Sequence, residues 1–332
     1  MLAFLCSCLA PWDRLWSGDD DGRIIEKTNK FSLAVGGVAP GRDELVLFDE
    51  TGNIRDLSEH QLDCASDKGI ITLSARPGTG SLAEGSGALI VPNEAGIASV
   101  TCSIDGVPLS DTYEVIVSPQ DLIRILVAEA GTQLADEASL KDDILELTSA
   151  SPTGNAIGAV IRNRIDLIEA NGETDLFSVD AALFEANPTA SYYEAVITAP
   201  FQFSPTYPLD SNFKIFSEAL DRNFLEEDWL IAYDQAVLTA AGIYSDETKD
   251  PTEGSFAFFS PTVEQWLVIN EALNSGTTVL PDGCGVSDET FPALAPVQIV
   301  MVGGIWTYED GMPAFVFVRH RIASEAAVIN LP

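Results

Sequence analysis

The chain has 332 residues, 46% of them hydrophobic and 20% charged, which is enough apolar material for more than one packed core and too little charge density for a disordered acidic tail. Its 51 acidic residues face 17 basic ones, a formal charge of −34 spread along the whole length, which excludes nucleic acid and anionic lipid as partners for most of the surface. Five Cys, at 6, 8, 64, 102 and 284, include no C-x-x-C pair and have only His60 and His320 to complement them, so a structural zinc site is not expected, nor any other metal or cofactor.

Residues 1–28 open with the apolar run MLAFLCSCLAPWDRLW, which lacks the basic start and long apolar stretch of a full signal peptide. Leu5-Cys6-Ser7-Cys8 is similar to the small-residue-then-Cys site of a bacterial lipoprotein. The segment is read as either a packing arm or the remnant of an export signal.

From 29 to 118 the text is strand-like: KFSLAVGG, DELVLFDETGNIRDL, HQLDCA, GIITLSA, GALIVP, GIASVTCSID and TYEVIVS, short runs rich in β-branched residues and separated at roughly ten-residue spacing by Gly, Pro, Asp and Asn. That spacing predicts an antiparallel all-β sandwich. Cys64 and Cys102 both lie in such runs, and two readings stand: a disulfide between them, or two small buried thiols. The segments FDETGN, ASDKGIITL and NEAGIASVTCSIDG, in this order, resemble the bacterial immunoglobulin-like domains of invasin-type surface proteins. The resemblance implies a module that spaces or attaches something else, with a surface or virion protein as its partner.

At Ser118-Pro119 the texture changes. A serine before a first-turn proline, with Asp121 following, predicts a helix capped by Ser118. Leu122, Ile125, Leu126 and Glu129 fall on one stripe at helical spacing and Ile123, Val127 and Ala130 beside it, so this helix reads as central. After a polar stretch from 132 to 152, GNAIGAVIRNRIDLI reads as a second helix whose small-residue face, Ala156, Ala159, Val160 and Asn163, packs on the first. Helical text follows from 211 to 243, interrupted near Asn223. An irregular loop over 274–296 precedes a hairpin in which VQIVMVGGIWTYE and PAFVFVRHRI flank Asp310-Gly311. Residues 119–332 therefore read as a mainly helical domain with a small sheet.

No P-loop, G-x-G-x-x-G, H-E-x-x-H or G-x-S-x-G motif is present, and two His leave little room for a Ser-His-Asp arrangement. Glu129 is the chemical candidate. A carboxyl in an apolar cleft resists ionisation and can donate a proton near neutral pH, as a general acid in glycoside cleavage must. The plain reading beside it is a Glu that emerges at the helix end or pairs with Arg162 or Arg164.

RILVAEAG, AIGAVIRNRI, PFQFSP, GSFAFFSPTVEQW and VRHRI stand in the order of the cell-wall hydrolase family typified by the spore-cortex-lytic enzyme SleB, which residues 119–324 resemble. The resemblance implies a lysozyme-like domain that cuts between N-acetylmuramic acid and N-acetylglucosamine, as a lytic transglycosylase or muramidase, with peptidoglycan glycan strands as its partner. Glu129 matches the catalytic acid; Asn163, Gln202, Phe203, Ser204, Phe259, Trp266 and His320 match or offer substrate-binding positions. In the transglycosylase version the sugar's own 6-hydroxyl attacks the anomeric carbon, so one carboxyl suffices. This chain departs from the family in its insertion over 132–152, in a long loop between 267 and 297, and in Arg319-His320-Arg321-Ile322, which lacks the family's Gly and Phe. The expectation is thus a multidomain protein, an immunoglobulin-like sandwich followed by a mainly α (α+β) lysozyme-like domain with a small β-hairpin, located extracellularly, in the envelope or on a virion. The alternative is a structural or glycan-binding protein whose hydrolase-like domain has lost activity.

Overall fold

A computed structural model describes residues 62–75, 87–139, 150–172, 174–182, 190–200, 202–218, 227–282, 284 and 294–322, together with five earlier strands. The architecture is mixed helix and sheet. The expected sequence features at His60, Asn223 and Cys6-Ser7-Cys8 lie outside the described residues.

The earlier strands are β1 (Leu2–Leu5), β2 (Ser17–Gly18), β3 (Ile24–Ile25), β4 (Lys30–Ala34) and β5 (Asp43–Leu47). They are followed by β6 (Leu62–Ser66), β7 (Ile71–Ala75), β8 (Gly87–Pro92), β9 (Gly96–Ile104) and β10 (Val107–Ser118). Two four-stranded sheets result, in the orders β1-β5-β8-β7 and β4-β10-β9-β6, while β2 and β3 pair separately. Ala98, Val100 and Cys102 are buried at every second position of β9, the period of a strand with one covered face. Pairing is antiparallel except between β4 and β10, which run parallel with Lys30 opposite Glu114 and Ala34 opposite Ser118. This corrects the expectation of a wholly antiparallel arrangement: after β4 the chain crosses to the other sheet in β5, returns in β6, crosses again for β7 and β8 and comes back through β9, so that β10 arrives beside β4 in the same direction. Cys64 and Cys102 sit opposite one another in the β6/β9 pair and are joined by a disulfide.

Ser118 ends β10 and is fully buried, so it is extended backbone rather than a helix cap, and α1 (Gln120–Ala130) starts after Pro119 with no side-chain cap. Asp121 does lie in the first turn, where it pairs with Arg124 at 3.1 Å. The apolar side chains of α1 from Leu122 to Ala130 are all buried at the centre of the helical core. Around it stand α2 (Gln133–Ser139), α3 (Pro152–Asn171), α4 (Ala190–Thr198), α5 (Phe213–Glu218) and α6 (Glu227–Tyr244). The stretch read as a polar insertion thus contains α2. Its anchor is Glu137, a buried carboxylate that accepts hydrogen bonds from the Ser151 and Thr153 hydroxyls and from the backbone N–H groups of Thr153 and Trp306, the last two at 3.2 Å.

Ser151 caps α3 by accepting from the Gly154 N–H, and Pro152 occupies the first turn. The close approach of α3 is to α6: a Cβ on Gly158 would lie 1.9 Å from Ile243 Cδ1, and one on Gly154 3.0 Å from Thr239 Cγ2. Small residues here admit α6 as well as α1, which α3 also touches. Helix α6 in turn packs over β4 and β10, which explains why Ile116 is buried as well as Val115 and Val117 on the other face of β10.

The remaining sheet has the order β11-β13-β12, from β11 (Ala257–Phe259), β12 (Leu294–Val300) and β13 (Val316–Ile322). Strands β12 and β13 are antiparallel, as the hairpin reading requires, and Gly311 takes φ +81° in the turn between them. The expected loop from 267 is corrected: α7 (Val263–Asn274) carries a full capping box between Thr262 and Gln265 and runs to 274. No helix among the described residues is long and apolar enough to cross a membrane.

Candidate functional site

Glu129 occupies the last turn of α1. The helix ends because Gly131 adopts φ +57°, returning its N–H to the Val127 carbonyl at 2.9 Å. The Trp229 ring lies 3.5 Å from where a Cβ on Gly131 would project, so this corner is closed by an aromatic face. The neighbours of Glu129, Ala128 and Ala130, are buried, while Glu129 itself is half-buried. Among the described residues its carboxyl takes part in no hydrogen bond or ion pair. Its pKa is raised to about 8: burial is the largest cause, the negative charge of Asp210 adds to it, and the Arg164 guanidinium opposes both. At neutral pH the group therefore holds its proton, yet it keeps contact with solvent. Those are the two properties a general acid needs.

Arg164 is a fully buried cation on α3. Its Nε donates to the Phe256 carbonyl at 2.8 Å and its Nη1 to Gln202 Oε1 at 3.1 Å, while its guanidinium stands 4.6 Å from the Phe203 ring centre and 5.7 Å from that of Phe177. Two carbonyl-type acceptors and two aromatic faces replace its water. Desolvation still draws its pKa down to about 9, with Glu129 acting in the other direction. Arg162 plays no such part, being paired with Asp166 on the same helix at 2.7 Å.

Of the residues singled out in the sequence, Gln202 and Phe203 are brought to this group through Arg164, and both are buried. Ser204 opens the 3₁₀ turn Ser204–Thr206 and is exposed. His320 is buried beside the Phe256 ring, and its pKa falls to about 4 because burial and then the Arg164 charge disfavour its protonation. Asn163 is buried one residue from Arg164, but its amide is directed to Asp250 Oδ2 at 3.1 Å and the Ser255 carbonyl at 3.0 Å, with Thr252 Oγ1 at 3.4 Å. It fastens the loop entering β11 to α3.

Phe259 and Trp266 are placed elsewhere. Side chains alternate along β11, so Phe258 faces Phe203 at 6.1 Å and Phe315 and Phe317 in the main core, whereas Phe259 faces the other side of the sheet. There it packs with Trp266 of α7 around Ile269, Ile299 and Val316, a cluster separate from the core that surrounds Glu129. The aromatic beside the site is thus Phe258, one position earlier than expected, because a single-residue offset reverses the face.

Two groups escaped the sequence reading. Asp210 lies more than 80 residues from Glu129 in a turn with no motif, and only folding reveals its influence. Glu137 sat in text read as a polar insertion; its signal was the Ser151-Pro152-Thr153 helix start, whose hydroxyls converge on one carboxylate.

No family model matches the chain, and no curated protein matches it. Among solved structures it is similar to domains 5–6 of the S-layer protein SbsC, at 20% identity and TM-score 0.19 over 27% of this chain and 40% of that one. It is similar also to domains 4 and 5 of the same protein, with the same identity, TM-score and share of this chain and 48% of that one. The chain spans less than half the length of these structures.

Proposed function

We propose that residues 119–332 form a lysozyme-like domain that cleaves peptidoglycan glycan strands between N-acetylmuramic acid and N-acetylglucosamine, as a lytic transglycosylase or muramidase, with Glu129 as its general acid and base. The strands of 29–118 would form an immunoglobulin-like sandwich that positions it. One observation carries the reading: a half-buried carboxyl, held protonated near neutral pH, stands beside a buried cation.

The proton of Glu129 passes to the bridging oxygen as the bond to the anomeric carbon breaks. The carboxylate so formed faces the Arg164 charge, which favours that state and lets Glu129 then accept a proton from the attacking hydroxyl. Arg164 never reaches the sugar. It acts through Glu129 and through Gln202 and Phe203, which it holds in place. A disulfide in the β-rich part suits an oxidising setting outside the cytosol. With 51 acidic residues the surface would not steer the protein to an anionic wall, so affinity must come from the groove or from a partner of the sandwich.

Digestion of purified peptidoglycan with the parent and with Glu129→Gln, followed by mass analysis of the soluble products, tests this. Muropeptides released by the parent and reduced about 10²-fold or more in the variant support it. No release from either favours the non-catalytic glycan binder, and equal release from both would show that cleavage does not use Glu129.

A further inference from the structure

We propose that Asp210 is the second catalytic carboxylate of this site and that it activates a water molecule for attack on the anomeric carbon, making the cleavage a hydrolysis. The inference rests on the reading of Glu129 as the general acid in glycan cleavage; where water attacks in place of the sugar's own hydroxyl, Asp210 rather than Glu129 is the base.

Two elements that follow one another in the chain pack on α1, the 3₁₀ turn Ser204–Thr206 and α5, and Asp210 lies in the link between them. Consecutive turns fix its backbone: the Asp210 N–H donates to the Tyr207 carbonyl at 3.0 Å, and the Phe213 N–H donates to the Asp210 carbonyl at 3.2 Å. Its Oδ1 accepts the Asn212 N–H at 2.7 Å, while Oδ2 has no hydrogen bond among the described residues. Like Glu129, Asp210 is half-buried. One carboxylate oxygen is thus anchored and the other is left for a proton. The charge of Asp210 is felt at Glu129, where it favours the protonated form. Two carboxyls in unlike settings, one sheltered by apolar helix and one in a polar turn, divide naturally into acid and base.

In the step so assigned, Glu129 gives its proton to the bridging oxygen and the bond from that oxygen to the anomeric carbon breaks, its electron pair going to the oxygen. The water oxygen bonds to the carbon and the water's proton passes to Asp210. Exchange with solvent then returns Glu129 to its acid and Asp210 to its carboxylate form. The product carries a reducing end, heavier by one water than the 1,6-anhydro end that attack by the sugar's own hydroxyl would leave.

The test is digestion of peptidoglycan by the full chain in water enriched in heavy oxygen, with mass analysis of the new ends. The parent is expected to place solvent oxygen at those ends. Asp210→Asn, which keeps an acceptor for the Asn212 N–H, should lose about 10²- to 10⁴-fold in rate at an unchanged melting temperature. Asp210→Ala supplied with azide should regain turnover and yield a glycosyl azide, which a merely structural role would not give. Anhydro ends without solvent oxygen, or a parental rate in Asp210→Asn, overturn the inference while leaving the glycan-cleaving reading standing. A parent that releases nothing removes that reading and the inference with it.

Discussion

The proton on Glu129 links function to stability. Its pKa is raised from 4.5 to about 8 in the folded chain, so between those values the folded state binds more protons than the unfolded one. Stability from this source is fully present below about pH 4.5 and is lost as pH rises through about 8. Glu129→Gln abolishes the titration without changing the side chain's shape. Urea unfolding from about pH 5 to about pH 9 should show the variant gaining on the parent as pH rises, by a few kcal/mol at most, since the carboxyl keeps some contact with solvent. Parallel pH curves would mean that Glu129 ionises at its ordinary value. On the same grounds kcat/KM for glycan cleavage should fall as pH rises through about 8, since the acid must enter the reaction protonated.

Among the helices, the sharpest constraint is the crossing of α3 and α6. Alanine is the better helix former by roughly 0.8–1 kcal/mol, but a methyl on Gly158 overlaps the buried Ile243 side chain, and overpacking a tight contact costs about 1–3 kcal/mol. Gly158→Ala should therefore lower the melting temperature, and Ile243→Val, which removes the atom met at 1.9 Å, should restore part of the loss when combined with it. Additive effects would show that the two residues do not collide. Periodicity made α1 and α3 legible in the sequence, since an apolar stripe or a small-residue face is set by the same 3.6-residue repeat that builds the core. It did not reveal α2, which is short and puts only Leu134 and Ala135 into the apolar core beside the buried Glu137 carboxylate. Nor could it assign the faces of β11: Phe258 and Phe259 are alike as letters, and only the register with β13 decides which one meets Phe203. Glu129 stood out because a lone carboxylate interrupts an apolar stripe; Asp210 is one acid among 51 and did not.

Over the whole molecule, covalent and electrostatic terms pull in opposite directions. A charge of −34 repels itself, and screening by salt should favour the compact state. Against that repulsion the Cys64–Cys102 bridge ties strands 38 residues apart, a constraint typically worth about 2–4 kcal/mol. Cys64→Ser with Cys102→Ser should lower stability by about that amount, and added reductant should then leave the double variant's melting temperature unchanged while lowering the parent's. Equal sensitivity to reductant would place the effect elsewhere. The same packing that resists repulsion shelters the site: α1 packs against α2 to α6 and the Ser204–Thr206 turn, and burial in that core raises the pKa of Glu129. A carbon-detected NMR titration of the side-chain carboxyls, with Glu129 assigned by its disappearance in Glu129→Gln, tests that claim most directly. A sheltered Glu129 gives a midpoint near 8, and a midpoint near the ordinary 4.5 would contradict that shelter.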